Sequence, residues 1–158
     1  MSDADYNPGD EIRGVLIPVG EQSLLLPNAV VAEIIDYRDP TGAVDAEDAD
    51  WLRGIVTWRQ HKLPLVAFEG LLGESFALPR RARIAICHAL DPNAEHTFIG
   101  IVSGGIPRLV RVREGSIEPL SLTAEDEDRP ILARVRLNDV DALIPDLDRL
   151  GVLLDTSA

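Results

Sequence analysis

The 158 residues (17.2 kDa) carry 15 Lys and Arg against 27 Asp and Glu, a formal charge of −12 with a sequence pI near 4.5. Nucleic acid would be repelled by that field, because its affinity comes from cations displacing counterions at phosphate, and an anionic lipid surface is disfavoured for the same reason. No apolar run approaches the ~18 residues of a membrane span, and the single cysteine, Cys87, leaves no internal disulfide, so the expectation is a cytoplasmic domain held by its own core.

Residues 1–11 are polar and acidic and read as a flexible leader without the basic start of a secretion signal. From Ile12, short apolar stretches alternate with Gly, Pro, Asn and Asp. Arg13–Val19 and Gln22–Leu26 flank Gly20-Glu21, the spacing of a two-residue hairpin. Val30–Ile35 is apolar except for Glu33, and the acidic stretch Asp36–Asp50, with Pro40 and Gly42, reads as a loop. Trp51–Trp58 and Leu63–Phe68 read as strands around the polar turn Arg59-Gln60-His61-Lys62, followed by at most one helical turn over Phe68–Gly73.

Ala82–Ala89 and Thr97–Val102 form a further hairpin around Asp91-Pro92-Asn93. Leu109–Arg113 alternates apolar and basic residues with period two, the pattern of a half-buried strand. Glu125–Asp128 is a solvated acidic loop. Arg134–Leu137 and Ala142–Ile144 flank the turn Asn138-Asp139, and Asp146–Leu150 closes the chain as a short helix. Short strands at roughly 8–12 residue spacing predict an all-β barrel or sandwich.

The chemistry-bearing residues do not assemble into a reaction centre. Cys87 and His88 are neighbours, so on a strand they point to opposite faces, and His96 across the hairpin gives His88 at best a two-ligand site. A buried thiol and exposed imidazoles are expected. Gly100-Ile101-Val102-Ser103-Gly104-Gly105 fits neither a dinucleotide fingerprint, nor a phosphate loop, nor a nucleophile elbow, and reads as a strand end and turn. The acidic pairs fall in charge runs, with no carboxylate placed in an apolar pocket. No catalytic residue, metal or cofactor is expected.

The segment Trp51–Phe68 does stand out. An apolar strand runs into a turn opening with Arg59 and returns as a strand containing Pro64, whose missing N–H belongs at an edge or bulge. Trp and Arg beside an edge strand are the composition of a docking surface, and 14 of the 15 basic residues are Arg, the type enriched at interfaces. From composition alone, a core Trp and an ordinary turn Arg fit slightly better than a docking surface.

This segment resembles the central motif of the CheW-like family of chemotaxis coupling proteins. Gly54-Ile55-Val56-Thr57-Trp58-Arg59 and Leu63-Pro64-Leu65-Val66 stand at the family's Gly, apolar run, Arg turn and Pro-containing strand. Val30-Val31-Ala32-Glu33-Ile34-Ile35, Ile99-Gly100-Ile101-Val102, Ile117-Glu118-Pro119 and Ala142–Leu150 resemble further family segments in the same order. The chain departs at Gln60, where the family has Gly, at Thr57, at Ser103-Gly104 and in the acidic segment after Asp36. Gln60 puts a Cβ where Gly takes φ > 0, which predicts a changed turn.

The resemblance implies one domain over residues 12–154, built of two small five-stranded Src-homology-3-like barrels and a short C-terminal helix. Barrel one would span about residues 12–68 with part of the C-terminus, and barrel two about residues 82–137. It implies a non-enzymatic adaptor between the cytoplasmic tip of a chemoreceptor and a CheA-type histidine kinase. Trp58, Arg59 and Gln60 would face the receptor, with Glu33 and Ile34 on the same groove. The departures point to an accessory member, such as those of type IV pilus systems that control twitching. The competing readings are a small-molecule-binding β-barrel or a regulator unrelated to chemoreceptors and, more distantly, a hydrolase or metal enzyme using Cys87 and His88.

Overall fold

The turn at Gly20-Glu21 organises the first pair of strands: β1 (Ile12–Val19) and β2 (Gln22–Pro27) run antiparallel with Val19 opposite Gln22, and Gly20 sits at φ 60°. The computed structural model describes residues 11–42, 51–89 and 97–157. After a 3-10 turn at Asn28–Val30 come β3 (Val31–Asp36), β4 (Leu52–Trp58), β5 (His61–Val66) and the single helical turn α1 (Phe68–Leu71). There follow β6 (Arg83–His88), β7 (Phe98–Ser103), β8 (Arg108–Val112) and β9 (Ile117–Leu120). A 3-10 turn at Ala124–Asp128 then precedes β10 (Ile131–Leu137), β11 (Val140–Pro145) and helix α2 (Leu147–Ser157). The fold is all-β apart from these turns and α2, and each hairpin expected from the sequence is present.

The strands form two sheets, with orders β8-β1-β2-β11-β10-β9 and β3-β6-β7-β5-β4. In each, two hairpins are joined by one parallel contact, Leu24 with Leu143 in the first and Leu65 with Gly100 in the second. Thr41 and Ile55 exchange both backbone hydrogen bonds at 2.8 Å, so the chain beyond β3 returns to β4 and closes the five-stranded sheet. In the six-stranded sheet the outer strands β8 and β9 are joined by the turn at Arg113–Ser116, where Ser116 Oγ accepts the Arg113 N–H at 2.9 Å. The Thr41–Ile55 bridge pairs part of the β4 edge and so shortens the free edge that would invite aggregation.

This arrangement corrects the expected division into barrels. The chain leaves its first sheet after β2, so β3, β4 and β5 join β6 and β7, while β1 and β2 join β8–β11. One sheet has six strands rather than five. Hairpins are local and legible, whereas the allocation of hairpins to sheets rests on the parallel contacts between segments far apart in sequence.

Three apolar clusters follow from this layering. Val15, Ile17 and Val19 of β1, Leu24 and Leu26 of β2, Ala85 and Cys87 of β6, and Ile99 and Ile101 of β7 meet in the seam between the sheets. The intervening residues face inward within each sheet: Leu16 and Leu25 on one side, Leu63, Leu65, Ile84 and Ile86 on the other. Strands buried on both faces read as continuous apolar runs, which is why β1, β2 and β6 lack period-two alternation. Helix α2 lays Leu147, Leu150 and Leu154 on the seam, and Asp146 Oδ1 accepts the Arg149 N–H at its start (3.0 Å). It is longer than the expected Asp146–Leu150.

Several local expectations change. Leu109 of β8 is 74% exposed, and the covered residues of that strand are Val110 and Val112. Pro64 lies on an interior strand, but the ladder to β7 begins only at Leu65, so the missing N–H falls where β5 has no partner on that side. Asp36–Asp50 is not wholly loop, since Thr41 joins the sheet. Its residues 43–50 lie outside the described residues, as do His96, Asp91-Pro92-Asn93 and the leader apart from Glu11, which is ion-paired to Arg113 at 2.6 Å.

Candidate partner-binding site

Strand β4 meets β5 through two residues only, Arg59 and Gln60, at φ 47° and 69°. Both occupy the left-handed region, so the turn is of the primed type that matches strand twist. The second two-residue turn of this kind, between β10 and β11, uses Asn138 and Asp139 at φ 47° and 72°, residues that accept this backbone readily. Arg and Gln do not, at a cost of about 1 kcal/mol each. Gln60 therefore holds the positive φ that a glycine takes freely, and bears the strain of its Cβ there.

The strained turn is tied to β3 through Glu33. Its Oε1 accepts the Trp58 indole N–H at 3.0 Å and pairs with Arg59 Nη2, also at 3.0 Å. The Arg59 guanidinium lies 5.1 Å from the centre of the Trp58 ring. Trp58 is buried, whereas the Arg59 side chain is 71% exposed. An exposed ion pair contributes at most about 1 kcal/mol to stability, so the network orients more than it stabilises: a carboxylate and an indole hold a guanidinium that remains open to water.

Sequence reasoning missed the aromatic wall beside this group. The Trp58 ring stacks near His61 (6.1 Å between centres) and meets the edge of Phe98 at 4.9 Å, and Phe98 also contacts His61 (4.8 Å) and His88 (5.2 Å). The hairpin register already places His88 opposite Phe98. The parallel β5–β7 contact that brings Phe98 to His61 has no local signal. The structure thus unites Glu33, Trp58 and Arg59, with Gln60 in the turn itself. It does not bring in Ile34, which points to the other face of β3 and packs against the seam.

Cys87 and His88 do face opposite ways. Cys87 is fully buried and burial pushes its thiol up to about 12, while His88 is exposed. Among the described residues no group of three or more His, Cys, Asp or Glu is placed to hold a metal, and no helix is long and apolar enough to cross a membrane. Two carboxylates correct the reading of the acidic residues. Asp126 is buried, not solvated, and Glu69 is 3% exposed in α1, where burial raises its carboxyl above the usual range.

The CheW-like domain description matches residues 13–153. The chain belongs to the CheW-like domain family. No curated protein matches this CheW-like chain. Among solved structures it is similar to the scaffolding protein TtCheW from Thermoanaerobacter tengcongensis, at 18% identity and a TM-score of 0.70, over 89% of this chain and 87% of that one. At that identity the likeness establishes the shared CheW-like fold, and the role of the Glu33–Trp58–Arg59 group rests on its geometry.

Proposed function

We propose that this protein is a non-enzymatic signalling adaptor that couples the cytoplasmic tip of methyl-accepting chemoreceptors to a CheA-type histidine kinase, acting in the cytoplasm at receptor arrays. Membership of the CheW-like family and the fold shared with a scaffolding protein support the coupling role. The observation that carries the site is the convergence of Glu33, Trp58 and Arg59 on a turn whose geometry disfavours its own residues. Strain retained at an exposed position marks a surface selected for what it presents. An adaptor works by holding two partners in register, so affinity and geometry are its whole mechanism.

In this reading the receptor meets the exposed Arg59 guanidinium over the Trp58 ring, with Gln60 beside it and Glu33 fixing the angle. Gln60 in place of Gly and the acidic segment after Asp36 support an accessory member, one serving a type IV pilus system and twitching motility.

The test is calorimetric titration of the purified protein with a receptor-tip fragment. Arg59→Ala weakens binding by about 2 kcal/mol or more if Arg59 is an interface hot spot. Unchanged affinity in a folded Arg59→Ala variant removes this turn from the interface. Capture of a receptor or a large histidine kinase from lysate supports coupling, and twitching unaffected by deletion of the gene rules out the pilus assignment.

A further inference from the structure

At the end of β5 away from the Arg59 turn, roughly 20 Å along the strand, the chain enters α1. The segment after it packs on the tip of the β1–β2 hairpin from the other sheet. Glu69 of α1 is buried, and its Oε1 has no hydrogen-bond partner. Glu74 lies beside it: the Glu74 N–H donates to the Glu69 carbonyl at 3.0 Å, and Glu74 Oε1 accepts the Glu21 N–H at 3.1 Å. Gly20 permits this approach, since a Cβ there would overlap Glu74 Oε1 and stand 3.0 Å from Glu69 Cβ.

Glu21, Glu69 and Glu74 wall a cleft of about 550 Å³ whose lining contains no Lys, Arg or His. A buried carboxylate oxygen with no donor is a costly arrangement, and a second carboxylate beside it adds to the cost. Burial and then the Glu74 charge push the Glu69 carboxyl up, against its own N–H, the Gly20 N–H and the Arg53 charge from β4. Arg53 itself sits over the Phe76 ring at 4.6 Å. Glu69 Oε1, without a donor and next to the Glu74 carboxylate, is an acceptor that a cation can use.

We propose that this cleft binds a cationic nitrogen group on a protein partner, an arginine or lysine side chain, with Glu69 and Glu74 accepting its N–H donors. A divalent metal fits less well, because no group of three acidic, His or Cys ligands is placed for one among the described residues. The fork of a guanidinium instead suits acceptors set side by side. A protein partner also fits the position at the junction of both sheets, where a macromolecule can reach α1 and the β1–β2 hairpin together. The inference does not depend on the receptor reading, which concerns the other end of the sheet.

The experiment is NMR titration of the full chain with the peptide acetyl-Gly-Arg-Gly-amide, following the backbone amides of Gly20, Glu21 and Gly104 and the Glu69 carboxyl carbon. Saturable shifts confined to these groups are expected, with affinity about tenfold weaker in Glu69→Gln, the loss of one hydrogen bond to a charged group. Should Glu69→Gln fail to fold, Glu74→Gln carries the same comparison. Absence of saturable shifts, equal affinity in a folded variant, or equal binding of the Gln-containing peptide overturns the proposal. So do shifts driven by Mg²⁺ or Ca²⁺ but not by the peptide. Binding of ethylguanidinium as tight as that of the peptide overturns the assignment to a protein side chain.

Discussion

Arg59 and Gln60 show how little of a residue's role its local backbone preference discloses. Both stand at positive φ in a turn that Asn138 and Asp139 occupy without difficulty elsewhere in the chain. Gln60→Gly relieves the steric conflict at φ 69° and is expected to stabilise the protein by about 0.5–1 kcal/mol, part of the gain being lost to the greater freedom of the unfolded glycine. Thermal or urea unfolding checks this, and a destabilised variant would mean that Gln60 makes a contact worth more than its strain. Trp58 and Arg59 were legible as a docking candidate because their types and the strand–turn–strand pattern are local. Glu33 was visible only through family resemblance, since nothing in the sequence says that β3 lies across from the β4–β5 turn.

Among the elements, the 3-10 turn at Ala124–Asp128 departs furthest from its sequence. Four consecutive acidic residues read as a solvated charge run, yet Asp126 is buried and the turn is locked by it. Asp126 Oδ2 accepts the Thr123 N–H at 2.8 Å, and its two oxygens accept Arg134 Nε at 2.6 Å and Nη2 at 3.0 Å. Hydrogen bonding to Arg134, outweighing the cost of burial, holds the carboxyl well below the usual carboxylate range. Because the folded-state pKa is depressed, the bridge contributes its full stability above the ordinary Asp range, near pH 4, and loses it as pH falls towards the folded value. Asp126→Asn is therefore expected to lose about 2 kcal/mol or more at pH 7, since Arg134 is left partly buried without its partner, and the gap to the parent closes at low pH. Urea unfolding at pH 7 and pH 3 checks it, and a gap that persists undiminished at pH 3 would show that packing, not charge, carries the effect.

In the whole molecule, the seam between the two sheets is the structural unit that matters. Cys87 stands in it, fully buried, with a thiol that burial keeps protonated at neutral pH. Trp58 belongs instead to the interior of the five-stranded sheet. If the sheets unfold as one body, the free energy from Cys87 labelling by a thiol reagent equals that from Trp fluorescence in urea within about 1 kcal/mol. Labelling at a distinctly lower free energy would show the sheets parting before either unfolds. The seam also ties hairpins of the two sheets together, since Leu52 and Val66 of the β4–β5 hairpin and Val19 and Leu24 of the β1–β2 hairpin share it.

The sequence by itself determined the all-β class, the hairpins, the buried Cys87 and the strand–turn–strand pattern around Trp58 and Arg59. Each of these depends on interactions between residues close along the chain: turn geometry, alternation and the apolar character of a strand. Only the tertiary structure decided which hairpins share a sheet, that Glu33 takes both Trp58 and Arg59 while Ile34 turns away, that Phe98 and His61 meet, and that Glu69 and Asp126 are buried. Those follow from parallel strand contacts and from a seam formed by segments distant in sequence, where position in space, not residue type, sets whether a carboxylate is solvated, paired or left alone.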